Sequence, residues 1–155
     1  MKSLFWFLAL LLSLALLPTQ ALADLPAPKS SAENPNIAAA RKAIDAKDFK
    51  TAVGYLTKAV QEEPNNADAH TILGFSYRKL GTFDKSMDSY QRALKIDANN
   101  RSAHEYLGEL YLDMKQPENA EKQLVVLKKA CPFFGKCEEY DDLKEAIEKY
   151  KTTKK

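Results

Sequence analysis

Residues Ala69–Gly81 read AHTILGFSYRKLG, and residues Ala103–Lys115 read AHEYLGELYLDMK. Ala-His, Leu-Gly and Tyr return in the same places 34 positions later. Self-similarity at a fixed spacing of roughly 20–50 residues marks a chain built by stacking one small unit on copies of itself. With Ala67 as the first position of a 34-residue unit, Leu73, Gly74 and Tyr77 hold positions 7, 8 and 11, and Ser86, Tyr90 and Ala93 hold 20, 24 and 27. One unit later the same positions hold Leu107, Gly108 and Tyr111, then Ala120, Leu124 and Leu127. One unit earlier they hold Ala39, Ala40 and Ala43, then Ala52, Leu56 and Ala59. Pro64 and Pro132 both fall at position 32.

The spacing has a mechanical reading. Two helices per unit pack antiparallel with axes roughly 8–10 Å apart. Close approach calls for small residues on both sides: Gly74 or Gly108 from the first helix, Ser86, Ala93 or Ala120 from the second. Glycine inside a helix costs about 1 kcal/mol against alanine, and close packing is the compensation. Leu73, Tyr77 and Tyr90 fill the groove around the contact. Asn65-Asn66 and Asn99-Asn100 offer N-cap side chains for the next helix. Phe49, Phe83 and Pro117 begin second helices, the last as a tolerated N1 proline.

These residues resemble the tetratricopeptide repeat in three copies, 33–66, 67–100 and 101–134, covering about two thirds of the chain. The resemblance implies an all-α fold, a right-handed superhelical stack of three helix-turn-helix units. Tyr140, Leu143, Ile147 and Tyr150 then lie at i, i+3, i+7 and i+10 among acids and lysines, one apolar stripe on a helix. Residues 135–155 are therefore expected to be a C-terminal capping helix with a charged tail.

The N-terminus reads differently. Lys2 precedes an almost unbroken apolar run from Leu4 to Leu17, then Pro18 and the small-residue pattern Ala21-Leu22-Ala23. This is the layout of a secretory signal peptide over residues 1–23. The run's 14-residue length falls short of the roughly 20 that a membrane-spanning helix needs. The reading places the protein in the periplasm of a Gram-negative bacterium, or outside the cell, with no stable membrane insertion after cleavage; an uncleaved anchor is the alternative. Residues 24–36, with Pro26, Pro28 and Pro35 among Ser, Ala and Asn, read as a flexible linker.

Cleavage leaves 22 of the 23 basic residues against 21 acids. That balance carries no electrostatic footprint for nucleic acid. Cys131 and Cys137 are the only cysteines. An even count in an exported chain favours a structural disulfide, and no second pair or nearby histidine completes a zinc site. The disulfide would pin the cap to the last repeat.

Neither enzyme nor cofactor chemistry emerges. His70 and His104 share position 4 of their units and read as packing residues in place of the large side chain the family carries there. No third ligand at helical spacing makes them a metal site. Ser76, Ser86, Ser89 and Ser102 lack a strained-turn context, and no glycine-rich phosphate loop exists.

What remains is a surface. The resemblance implies that the first helices line a concave groove which binds an unidentified protein or peptide. Its expected contact residues are Arg41 from the first unit, Thr71, Phe75 and Arg78 from the second, and Glu105, Glu109 and Leu112 from the third. Phe75 flanked by charge suits an extended peptide or partner helix. The plain alternative is that Arg41 and Arg78 simply pair with each other's neighbours across units. The family's carboxylate-gripping clamp is absent: its positions hold Ile37, Arg41, Ile72, Ser102 and Tyr106. The expected role is a non-enzymatic scaffold or adaptor of the cell envelope. A small-molecule or lipid carrier, suggested by Phe133-Phe134, Phe75 and Leu112, and a self-assembling homo-oligomer are the competing readings.

Overall fold

Asparagine and aspartate side chains start four of the helices. Asn34, Asp48, Asn66 and Asn100 accept from backbone N–H groups of the first turns that follow them. Each bond satisfies a donor that the helix itself cannot. The resulting elements, in a computed structural model that describes residues 33–131 and 135–153, are α1 (Pro35–Asp45), α2 (Phe49–Glu62), α3 (Ala67–Lys79), α4 (Phe83–Ile96), α5 (Arg101–Asp113), α6 (Pro117–Ala130) and α7 (Glu138–Thr153). No strand occurs among the described residues. The expected signal peptide and the tip of the cysteine loop, including Pro132 and Phe133-Phe134, lie outside them.

The expected linker over residues 24–36 is corrected at its end. Asn34 caps α1 and Pro35 opens it, because an N1 proline has no N–H to lose and a φ already suited to a helix. The helices α2, α4 and α6 begin at residues 49, 83 and 117, so the 34-residue interval of the sequence is the interval of the fold.

Each pair closes through a three-residue turn with a left-handed residue at the same place. Lys47 has φ 58°, Gly81 has φ 71° and Lys115 has φ 62°. Only the middle unit uses glycine, which adopts this conformation without steric cost.

Packing follows the repeat. Within pairs, α1 meets α2, α3 meets α4 and α5 meets α6; between pairs, α2 meets α3 and α4 meets α5. The helix α7 packs on α5 and α6 as α5 packs on α3 and α4, so the cap takes the place of a fourth first helix. The core divides into clusters shared by neighbours. Ala40, Ala52, Leu56 and Leu73 join the first pair to the second, and Leu112, Ala120, Leu127, Leu143 and Ile147 join the third pair to the cap. No pair could bury its apolar face alone.

The small-residue contact is tight. A Cβ on Gly74 would stand 2.6 Å from Tyr90 Cε1, and one on Gly108 would stand 2.5 Å from Leu143 Cδ2. Ser86 Oγ donates to the Gly74 carbonyl at 2.8 Å, adding a polar tie at the same crossing. Cys131 and Cys137 are joined by a disulfide between the end of α6 and the start of α7.

Candidate functional site: a groove on the first helices

One first helix from each pair contributes to a single cleft. It has a volume of about 280 Å³ and is lined by Arg41, Ile44 and Asp45 of α1, Ile72 and Phe75 of α3, and Tyr106 of α5. A second cleft shares Arg41, Ile72 and Tyr106 and adds Asp68, Thr71 and Ser102. A third lies where α3 and α5 meet the cap, lined by Arg78, Glu109, Leu112 and Asp113 with Ala146, Lys149, Tyr150 and Thr153 of α7.

Phe75 is the centre of an aromatic row. Its ring centroid is 6.1 Å from Phe49 and 5.2 Å from Tyr106. The Lys79 ammonium lies 5.1 Å from the Phe75 centroid and the Arg78 guanidinium 5.9 Å, within cation–π range. The row therefore offers an apolar shelf edged by positive charge.

The seven expected contact residues separate on inspection. Phe75 is half-buried and lines the first cleft, and Arg41 is exposed there and bonded to Glu33 at 2.9 Å. Thr71 is buried, its hydroxyl donating to the Ala67 carbonyl at 2.9 Å. Leu112 belongs to the core cluster against the cap. Arg78 is buried and donates to Glu109 at 2.5 Å and to Asp113 at 3.1 Å. Both partners are acids of the next unit, whereas Arg41 pairs with Glu33 of its own unit. The Arg78 Nε, like the Tyr90 hydroxyl, is buried without a hydrogen-bond partner among the described residues.

Glu105 is buried beside Glu109 on the same helix face. Burial pushes its carboxyl up to about 8, with Glu109, Asp142 and Glu139 adding to the rise and Arg78 opposing it. Burial, followed by the charge of Glu105, also raises Tyr106.

Tyr106 and Ile72 were not among the expected contacts, although both line two clefts. The signal was present: they are 34 residues apart at position 6 of their units, one step from the positions chosen. The α7 residues had no such signal, because the cap does not repeat the units before it.

The histidines act in parallel. His70 Nε2 lies 3.1 Å from the Pro64 carbonyl and His104 Nε2 3.1 Å from the Ala98 carbonyl, each reaching six residues back to the preceding inter-unit turn. His104 Nδ1 also meets the Gln123 side chain at 2.7 Å. These bonds tie first helices to turns.

Comparison with known proteins bears on the fold. Residues 74–115 match the sequence model of the family described as TPR repeat. Over 103 residues, 66% of the chain, the sequence is 32% identical to the RNA polymerase-associated protein CTR9 of Caenorhabditis elegans, and the match spans 8% of that protein's length. Among solved structures, the Sgt2 TPR domain from Aspergillus fumigatus is similar with a TM-score of 0.67 and 21% identity, over 83% of this chain and 80% of that one. The TPR2B domain of yeast Sti1, solved in complex with pHsp70, gives 0.68 and 15% identity over 77% of this chain and 99% of that one. MamA gives 0.60 and 19% over 77% and 78%. At these identities the likeness speaks to the fold.

Proposed function

We propose that this chain, whose repeat match and structural likenesses support a tetratricopeptide-repeat protein, is a non-enzymatic adaptor that holds a partner protein's peptide segment in the groove on its first helices. The fold supports a protein–protein interaction scaffold in general; the peptide mode is the finer reading. One observation carries it: three first helices, one from each pair, converge on the cleft of Arg41, Ile72, Phe75 and Tyr106. A row of aromatic side chains on rigid helices gives a segment apolar anchorage at small entropic cost. The missing carboxylate clamp sets this groove apart from one that grips a chain terminus, so an internal segment is the expected occupant. The apolar run and Ala21-Leu22-Ala23 support action in the envelope of a Gram-negative bacterium after export.

The test is co-purification of partners on the full chain and on a Phe75→Ala, Tyr106→Ala double variant, both checked for helical content and melting temperature. The proposal expects a partner retained by the wild-type protein and lost by the folded double variant. Equal recovery by the two would remove the groove from the function.

A further inference from the structure

Two cations on the groove are left over once its ion pairs are formed. Arg78 is committed to Glu109 and Asp113, and Arg41 is held by Glu33. Lys79 and Lys149 are exposed, and their ammonium groups make no ion pair or hydrogen bond among the described residues. Both stand where a ligand would pass. The Lys79 ammonium lies over the Phe75 ring. Lys149 lines the cleft of about 270 Å³ where the ends of α3 and α5 meet the cap.

Arg78 joins these two places. Its guanidinium is 5.9 Å from the Phe75 centroid, and it lines the cap-end cleft with 7% of its side chain exposed. The aromatic shelf therefore runs on to α7, with Leu112 and Ala146 as apolar lining. The acids at this end, Glu109 and Asp113, both accept from Arg78. No acid of α7 lines the cleft. Elsewhere along the groove, Asp68 accepts from Asn100 at 2.9 Å, and Asp45 stands on α1, away from the cap. The charges open to a newcomer beside the cap are thus positive.

We propose that the segment held in the groove carries an aspartate or glutamate beside its apolar anchor. The anchor packs on Phe75 and Tyr106. The carboxylate, directed toward the cap, is taken by Lys149, with Lys79 adding to the attraction at the edge of the shelf. The inference rests on the groove reading above; it adds the ligand's chemistry and makes the cap a contact element. A basic segment would meet both lysines and find Glu109 and Asp113 already bonded to Arg78. A polyanion such as a nucleic-acid strand would bring repeated charge against Asp45, Asp68, Glu109 and Asp113, which line the same clefts. A single carboxylate among apolar residues avoids both conflicts, and like-charge contacts of this kind select against wrong partners.

The experiment selects a random dodecapeptide display library on the immobilised full-length chain. Winning peptides are then titrated calorimetrically against wild type, Phe75→Ala, Lys79→Glu and Lys149→Glu. Each winner has one counterpart in which an amide residue replaces its acid and another in which lysine does. Both lysines of the protein are exposed, and circular dichroism verifies that the variants fold. Expected are winners with Asp or Glu beside an apolar residue. They should weaken roughly threefold to tenfold on Lys149→Glu and less on Lys79→Glu, the effect shrinking at high salt. The lysine counterpart should bind Lys149→Glu more tightly than it binds wild type, a reversal that a structural role would not give. Winners that need Phe75 but show no acidic preference, or that bind Lys149→Glu as tightly as wild type, overturn this inference and leave the groove reading intact. A library yielding no peptide, or only peptides indifferent to Phe75→Ala, overturns both.

Discussion

Arg78 on α3 donates to Glu109 on α5 at 2.5 Å, with 7% of its side chain exposed. The bond spans two units, and a second one, to Asp113 at 3.1 Å, makes the guanidinium a clip between successive first helices. Two charge-assisted bonds from one fixed fork have a geometry that lysine cannot reproduce.

Arg78→Ala should cost about 1–3 kcal/mol in urea unfolding, because it leaves Glu109, beside Glu105, without its cation. Arg78→Met, which keeps the stem's packing, should cost less than alanine. Equal losses would show that the charge, and not the packing, carries the clip.

Gly74 and Gly108 should respond unequally to alanine. A methyl at Gly74 meets the ring of Tyr90, which is fully buried and closed in by Ser86 and Arg78. Overpacking of that kind costs about 1–3 kcal/mol, more than the helix gains from replacing glycine. At Gly108 the methyl meets the branched end of Leu143 on the cap. There α7 can move as a unit, so the smaller loss should appear as faster proteolysis of α7. Thermal melts and limited proteolysis of both variants check the order.

The left-handed turn residues give a stabilising change. Lys47 and Lys115 hold the backbone conformation that glycine holds at 81. A non-glycine residue there costs about 1–2 kcal/mol. Lys47→Gly and Lys115→Gly should each raise stability by about 1 kcal/mol after the unfolded-state entropy of glycine is subtracted. Gly81→Lys should lower it by a similar amount. Denaturant midpoints measure all three.

Reduction of the Cys131–Cys137 disulfide should cost about 2 kcal/mol on the chain-entropy account of a short loop. The loss should be local. Hydrogen exchange should quicken in α7 and at its contacts Leu112 and Leu127, while α1 and α2 keep their protection. Uniform acceleration along the chain would show that the stack unfolds as one unit.

Stability should fall as pH rises. Glu105 binds its proton more tightly in the fold, up to about 8 against 4.5 for the free side chain. Below the unfolded value both states are protonated and the group contributes its full share. Between the two values the folded state holds more protons than the unfolded one, so stability drops with pH and levels off above about 8. Melting temperatures from pH 5 to pH 9 should decline for wild type and flatten for Glu105→Gln. Parallel curves would show that Glu105 is solvated enough to ionise freely.

Much of this fold was legible because each local signal was written more than once. Asn66 and Asn100 cap helices in the structure as their placement before the repeated Ala-His implied. Phe49, Phe83 and Pro117 start second helices. The small residues at the crossing were identifiable because Gly74 and Gly108 stand at one position of the repeat. The candidate site was legible only as a face. Periodicity assigns a direction around a helix and gives no account of what stands opposite. Arg78 looked available from its own helix, and only the placement of α5 shows its two partners. Tyr106 was passed over because its neighbour Glu105 carries the expected groove position. Lys47 and Lys115 gave no hint of positive φ, since only glycine announces that conformation.

The chain by itself determined how many helices pair, where each second helix begins, and that every pair needs a neighbour, because these depend on side chains close along the helix and on a spacing that recurs. Tertiary structure alone decided which charges are consumed and which are left over. A covered carboxylate takes its character from groups brought near it in space by α3 and α7, and Coulomb interaction and desolvation depend on those distances and not on order along the chain.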